Sequence, residues 1–489
     1  MKQFVIPEIR LDSALGVDGS GRALYPAATL PHLTALPRNS LEMKTFPDGF
    51  LWGAATSAYQ IEGSPLADGA GASIWHRFTH TPGATELGHT GDVACDHYRR
   101  WESDVELMGE LGLQSYRFSL SWGRILPEGR GRVNEKGLDF YRRLVDRLLE
   151  RGIRPNVTLY HWDLPQALDD VGGWLHEDSP EWFADYAQVA FDAFGDRVPM
   201  WATLNEPWVS VDGGYLHGAH APGKRGVANA AAAARHLLVA HGAAVERYRA
   251  SGAKHAIGIV VNLEPKDPAS DREEDVAATG RAHTYFNEQY CDTLLLGRIP
   301  EGLPAIYGEG WREWTPAELA RASAKIDFLG INYYTRALTK HDPEHAPVCD
   351  ARTLPEGALR MTTGWEFYPE GLTRTLCWVK ERYGDLPLYV TENGGAFADP
   401  PTATDGRVDD PLRVRCYREN LKACLAAIER GVDLRGYYAW SFMDNLEWSA
   451  GFSQRFGLVH VDFDTQVRTI KESGKFYREV IRTNGGALA

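Results

Sequence analysis

Met200-Trp201-Ala202-Thr203-Leu204-Asn205-Glu206-Pro207 is a short run fit for a buried strand, closed by an amide, a carboxylate and a proline. A run of this length, ended by a helix- and strand-breaking residue, reads as a strand covered on both faces. Its strongly polar residues come only at the C-terminal end. Seven other runs repeat the design: Phe50–Ser57, Ser115–Trp122, Arg154–His161, Ala256–Leu263, Phe328–Thr335, Leu386–Asn393 and Leu434–Met443. Helical patterns lie between them. Asp96–Leu111 places Trp101, Val105, Met108 and Leu111 at helical spacing. Leu138–Arg151, Pro180–Phe194, Ala228–Arg249, Asp275–Leu295, Glu370–Tyr383, Pro411–Arg430 and Lys475–Ile481 read the same way.

Eight strands alternating with eight helices predict an α/β chain folded as a single (β/α)8 TIM barrel with long βα loops. The chain has 489 residues, whereas a bare barrel needs about 250. The excess is assigned mainly to loops, and Pro265, Pro268, Pro300 and Pro304 fit such loops without marking domain boundaries. Residues 1–45 lack clear periodicity and form an N-terminal arm; residues 46–489 form the barrel. Phe4, Val5, Ile6 and Ile9 give the arm apolar side chains to bury. The arm is expected to pack on the barrel exterior or on a neighbouring subunit, which leaves a homo-oligomer open.

Composition narrows the function. The net charge is −14 and no basic run with interleaved aromatics occurs, so nucleic acid is not an expected partner. The six cysteines, Cys95, Cys291, Cys349, Cys377, Cys416 and Cys424, include no Cys-x-x-Cys pair. Reduced thiols are expected rather than a zinc ribbon or a disulfide framework. His217 and His220 lack flanking ligands of a zinc motif, and no phosphate-binding glycine loop follows a strand. Neither a metal nor another cofactor is expected. No membrane span and no signal peptide are read, so a cytoplasmic location is the expectation. The 15 tryptophans suit sugar binding, because an indole face stacks on the C–H face of a pyranose; most of them are nonetheless expected to fill the core.

The polar residues at strand ends carry the chemistry. His161, Asn205, Glu206, Asn332, Tyr334, Glu392 and Trp440 fall at or near C-terminal ends, and Arg117 lies inside the second strand. In a barrel of this kind such positions face one shared pocket. Glu206 follows strand four and Glu392 ends strand seven, across the barrel from each other. Two carboxylates flanking a ligand fit glycoside hydrolysis: one protonates the leaving oxygen while the other attacks the anomeric carbon. Either glutamate alone would read as a solvated loop residue; with Asn205 and Arg117 converging on the pair, that reading fails.

From about Phe46 onward the chain resembles the family 1 glycoside hydrolases. The resemblance rests on Phe46-Pro47-Asp48-Gly49-Phe50-Leu51-Trp52-Gly53, Tyr59-Gln60-Ile61-Glu62-Gly63, Tyr116-Arg117-Phe118-Ser119, Thr203–Pro207, Ile331-Asn332-Tyr333-Tyr334, Thr391–Gly394 and Asn445-Leu446-Glu447-Trp448. Each run is short; their order on successive strands makes the match specific. It implies a retaining β-glycosidase, with Glu392 as nucleophile and Glu206 as acid/base. Asn205 would bond the sugar 2-OH, and Arg117 and Tyr334 would hold Glu392 ionised, Arg117 by lowering its pKa. Gln60, His161 and Glu447 resemble the family's hydroxyl-binding set. Asn332 belongs with the same substrate-binding group. Trp440 would stack beneath the sugar, Trp448 would contact its hydroxyls, and Trp365 resembles the aromatic wall of the next subsite. Glu62 and Asp163 are read as structural.

The related myrosinases carry Gln at the acid/base position, and relatives acting on 6-phosphosugars replace the Glu-Trp pair. Glu206 and Glu447-Trp448 stand here, which favours an unphosphorylated sugar and an intact acid. A small-molecule β-glucoside is the expected substrate, with galactosides, fucosides and transglycosylation as the alternative on the same site. A Schiff-base aldolase would need a lysine at a strand end, and no strand end carries one. A binding barrel without turnover would usually have lost one of the two carboxylates.

Overall fold

A computed structural model describes residues 45–488 of the chain. The assignment of residues 1–45 to an arm therefore lies, apart from Thr45, outside the described residues. The eight expected runs form strands β1 (Leu51–Ala55), β2 (Ser115–Ser119), β3 (Arg154–Tyr160), β4 (Met200–Asn205), β5 (Ala256–Asn262), β6 (Phe328–Asn332), β7 (Leu388–Asn393) and β8 (Leu434–Trp440). They pair in parallel, each with its neighbours in the sequence order, and β8 closes onto β1. A closed barrel leaves no exposed strand edge.

Helices follow each strand: α1 (His97–Glu110), α2 (Glu135–Glu150), α3 (Ser179–Phe194), α4 (Val227–Ala250), α5 (Glu273–His283 and Gln289–Leu296), α6 (Glu370–Tyr383), α7 (Pro411–Glu429) and α8 (Glu472–Arg482). In α2 the buried residues are Gly137, Leu138, Phe140, Tyr141, Leu144, Val145 and Leu148. That is one stripe of an amphipathic helix, turned onto the sheet. Helix α5 departs from the continuous helix expected for Asp275–Leu295. A π-helical segment, Thr284–Glu288, interrupts it. There Asn287 leaves the regular pattern to bond Glu264, receiving its backbone N–H at 3.2 Å and donating to its carbonyl at 2.9 Å.

The excess length lies largely in the segments after β1, β6 and β8. The segments after β5 and β6 build a small sheet from Lys266–Pro268, Ala337–His341 and Asp350–Thr353, which periodicity did not reveal. Five of the six cysteines are buried and all six are free thiols. Among the described residues no helix is long and apolar enough to cross a membrane.

Candidate active site

The barrel delivers the expected side chains to one place, and irregular backbone aims them. The pairing of β4 with β5 slips between Ala202 and Asn205. The pairing of β7 with β6 slips between Val390 and Glu392. Such irregularities re-aim a side chain out of the regular alternation, and here they fall beside the two glutamates. Glu206 itself has φ +46, the left-handed region that non-glycine residues rarely occupy. Pro207 then starts a short helix, with its ring already set for a first helical turn. Trp162 (φ +77) and Trp448 (φ +52) share this conformation, and their rings lie 4.5 Å apart. Residues held in sparse backbone regions cluster at functional sites. Gly394 closes the end of β7: a Cβ there would sit 1.9 Å from the Trp440 carbonyl oxygen, so no other residue lets β7 and β8 approach this closely.

Arg117 organises the centre. Its Nη1 donates to Glu392 Oε1 at 2.6 Å and its Nη2 to Asn205 Oδ1 at 2.7 Å. Tyr334 donates its hydroxyl to the other Glu392 oxygen at 2.7 Å. Asn332 donates to Glu206 Oε1 at 2.6 Å and to Asn205 Oδ1 at 3.0 Å, while Thr391 donates to Asn332 Oδ1 at 2.8 Å. A chain of hydrogen bonds thus joins Glu392 to Glu206.

The chain also fixes protonation. A guanidinium only donates, so the Asn205 oxygen must face Arg117. The Asn205 amide nitrogen then faces His161 Nε2, at 2.9 Å. That nitrogen must accept, which leaves the imidazole hydrogen on Nδ1. Burial, with the Arg117 charge added, holds His161 well below the usual histidine range, so the ring is neutral. Its Nδ1 is buried without a partner, a donor ready for a ligand.

Gln60 lies at the other edge of the site. It is fully buried, accepts from Ser57 at 2.6 Å, and donates to the Leu446 carbonyl at 2.9 Å and to Asn445 at 3.1 Å. Glu447 Oε2 lies 3.5 Å from its amide. Trp440 and Trp448 lie within 6 Å of the His161 ring, both in stacked orientation. Trp365 is half-buried beside Tyr334, ring centroids 5.4 Å apart. Four contributors were not singled out in the sequence: Trp162, whose Nε1 donates to the Asn205 carbonyl at 2.8 Å, Asn445, Thr391 and Ser57. Trp162 directly follows His161 at the end of β3, and that adjacency was the available signal. Glu62 is bound to Arg124 at 2.9 Å and to the Tyr141 hydroxyl at 2.6 Å.

The two carboxylates differ in surroundings. Burial pushes Glu206 well above the usual carboxylate range and the charge of Glu392 adds to this, against the Asn332 amide and Arg117. Burial raises Glu392 as well, and the Arg117 charge and bonds from Arg117, Tyr334 and Asn332 oppose it. Arg117 acts on Glu392 in the expected direction, lowering it, and burial still outweighs it. Arg117 restrains a rise caused by burial, and what separates the two glutamates is how strongly each is opposed. Glu447 is pushed up to about 8 by burial and then by Glu392.

A parallel barrel with paired, differently held glutamates at strand ends defines a hydrolase of the carboxylate-pair class. Comparison with known proteins makes this specific. The chain belongs to glycosyl hydrolase family 1, whose family model matches residues 42–486. It is a glycoside hydrolase. It is 49% identical over 453 residues to beta-glucosidase A of Thermotoga maritima, covering 91% of this chain and 99% of that protein. It is 48% identical to a 1,4-beta-D-glucan glucohydrolase of Thermotoga neapolitana, covering 91% and 99%. The solved structure of the Thermotoga maritima beta-glucosidase with glucoimidazole superposes with a TM-score of 0.87 at 48% identity, covering 91% of this chain and all of that one.

Proposed function

We propose that this glycoside hydrolase is a retaining β-glucosidase that releases terminal non-reducing β-D-glucosyl residues from oligosaccharides or from aryl and alkyl glycosides. The observation that carries the reading is the unequal holding of the two glutamates: Arg117 and Tyr334 grip both oxygens of Glu392, while Glu206 is bonded by a neutral amide. Environments that separate two carboxylates in this way assign acid and base. The names of the relatives supply the glucosyl specificity.

In the first step a Glu392 oxygen bonds the anomeric carbon as the bond to the leaving oxygen breaks, and the Glu206 proton goes to that oxygen. In the second step Glu206 takes a proton from water, the hydroxyl oxygen bonds the anomeric carbon, and Glu392 leaves as carboxylate. Asn205 holds the sugar 2-OH through its remaining N–H. His161 Nδ1–H, Gln60 and Glu447 take the other hydroxyls, with Asn332 orienting Glu206. Trp440 forms the stacking floor, Trp448 contacts the sugar hydroxyls and Trp365 walls the next subsite. Residues 46–489 act as the catalytic unit, with residues 1–45 as an arm outside it.

Azide separates the roles. Glu392→Gly loses hydrolysis, and azide restores turnover with an α-glycosyl azide, because it attacks from the nucleophile's face. Glu206→Ala still reacts with activated leaving groups, and azide then yields a β-product. Swapped anomers, read by NMR, reverse the assignment. The kcat/KM values for aryl β-glucoside, β-galactoside and β-fucoside test the sugar; a galactoside preference overturns the glucosyl reading.

A further inference from the structure

The segment between β1 and α1 carries a short helix, Ile74–Thr79, and later a turn at Asp92. His76 and His80 stand one helical turn apart with ring centroids 4.4 Å from each other. A ring nitrogen of each and a carboxylate oxygen of Asp92 lie within 4.8 Å of one another. The hydrogen bonds fix what these atoms offer. His80 Nδ1 lies 2.7 Å from the His76 carbonyl oxygen. A carbonyl only accepts, so Nδ1 carries the hydrogen. In the neutral ring Nε2 then presents a lone pair, 3.0 Å from Asp92 Oδ2. His76 Nδ1 is buried without a hydrogen-bond partner, 3.6 Å from Asp92 Oδ1. A protonated His80 paired with Asp92 would satisfy those two groups and leave His76 unused. A cation among the three uses all of them.

We propose that His76, His80 and Asp92 form a divalent transition-metal site, selective for Zn2+ over Ca2+ and Mg2+. Zn2+ bonds to nitrogen and carboxylate are about 2.0–2.2 Å. In a tetrahedron they set ligand atoms roughly 3.3–3.6 Å apart; the two ring nitrogens lie 3.0 and 3.6 Å from the two oxygens of Asp92 and the three ligand atoms fall within 4.8 Å of one another, so the side chains would draw in around the ion. The bond from His80 Nδ1 to a backbone carbonyl is the outer-shell contact that orients metal-bound histidines. Ca2+ and Mg2+ prefer oxygen ligands, and two imidazoles select against them. The role is structural. The ion would tie the short helix to the turn at Asp92. On that helix Trp75 packs against Trp448, ring centroids 4.5 Å apart. Beside it, Tyr59 hydrogen-bonds Thr79 at 2.8 Å and receives the Gly91 N–H at 3.4 Å. The ion therefore braces the outer wall of the sugar site without touching a reacting atom.

The test uses the full, tag-free chain stripped by chelator. Calorimetry with ZnCl2 is expected to show one saturable equivalent of micromolar affinity. Zn2+ is expected to raise the thermal midpoint and CaCl2 to leave it unchanged. His80→Ala and Asp92→Asn each weaken the site by about tenfold or more, while kcat/KM on an aryl β-glucoside stays at the parent value. Absence of saturable Zn2+ binding, or equal binding by both variants, overturns the proposal. If the variants do not fold, Zn2+-soaked crystals of the parent decide: an anomalous peak among the three side chains supports the site, and its absence refutes it.

Discussion

Among the buried carboxylates of the described residues, two groups are held in opposite ways. In the candidate active site, Arg117 bonds Glu392 and acts on Glu206, and Glu447 feels the charge of Glu392. In the segments that follow β7 and β8, the side chains of Asp399, Asp410 and Asp444 meet Arg413, Lys471 and Arg455. Arg413 bonds Asp410 at 2.6 Å and Asp399 at 2.9 Å; Lys471 bonds Asp444 at 2.7 Å. Here each acid has a cation, and Asp444, although buried, falls to about 2 because Lys471, Arg455 and Arg413 outweigh burial. In the active site the carboxylates outnumber their cation, and burial lifts all three. Burial alone therefore does not set a carboxylate's proton affinity; the balance of partners does. The balanced group fixes structure. The unbalanced group favours holding a proton, which the acid role proposed for Glu206 needs.

Removing the cation from each group gives the sharpest contrast. Arg117→Met leaves Glu392 buried without its charge partner. By the usual loss for one electrostatic contact, kcat/KM is expected to fall by about 10²–10³-fold. Glu392 then rises further, so the acid limb of the kcat/KM profile moves to higher pH. An unmoved acid limb would mean that Arg117 does not set the ionisation of Glu392. Arg413→Met acts on stability instead. It leaves Asp399 and Asp410 short of a charge partner, a loss of about 3–5 kcal/mol, seen as a lower thermal midpoint. Turnover at room temperature should remain close to that of the parent. A large loss of turnover in a folded Arg413→Met protein would break the division between the two groups.

The pH dependence of stability should have opposite sign in the two groups. Asp444 has a folded value of about 2 against an ordinary 3.8. Its stabilisation is present above the ordinary value and is lost as pH falls toward 2. Glu447 has a folded value of about 8 against an ordinary 4.5. Between those values the unfolded chain is ionised and the folded one is not, so stability falls as pH rises through that window. Glu447→Gln is expected to raise the thermal midpoint at pH 8, by an amount on the order of 2 kcal/mol, and to leave it unchanged near pH 4. KM for the glucoside should rise. Equal stabilisation at both pH values would show that Glu447 is not held as a raised acid.

The sequence revealed the barrel and most of the site for one physical reason. A strand covered on both faces is apolar along its body, so Asn205, Glu206, His161 and Glu392 stand out where the apolar run stops. Strand ends moved by only a few residues, and no strand was missing from the ring. Interactions between distant loops were not legible. The two acids that Arg413 bonds, Asp399 and Asp410, come from separate positions, and no periodicity ties Asp399 to Lys471. Thr391 and Asn445 were hidden for a related reason: they hold Asn332 and Gln60, and a residue that acts through another leaves no pattern of its own. The raised value of Glu392 was missed because a sequence names the charge beside a carboxylate and not the depth at which both are buried.

The smallest expected effect tests the unbalanced group during turnover. Part of what raises Glu206 is the negative charge of Glu392, acting after burial. Once Glu392 is bonded to the sugar that charge is gone, while the burial stays. Glu206 should then fall, as a like charge leaves its neighbourhood. The fall matters because the proposed mechanism has Glu206 give up a proton in the first step and take one from water in the second. Trapping Glu392 with a 2-deoxy-2-fluoro glucoside holds this state. Infrared or NMR titration of the trapped enzyme should show one carboxyl whose pKa has dropped, and the Glu206→Gln protein should lack that signal. The Asp444 signal should not move, since its charge is matched locally by Lys471, Arg455 and Arg413. If Glu206 titrates at the same pH before and after trapping, its high value comes from burial alone. Glu392 then does not switch the acid into a base.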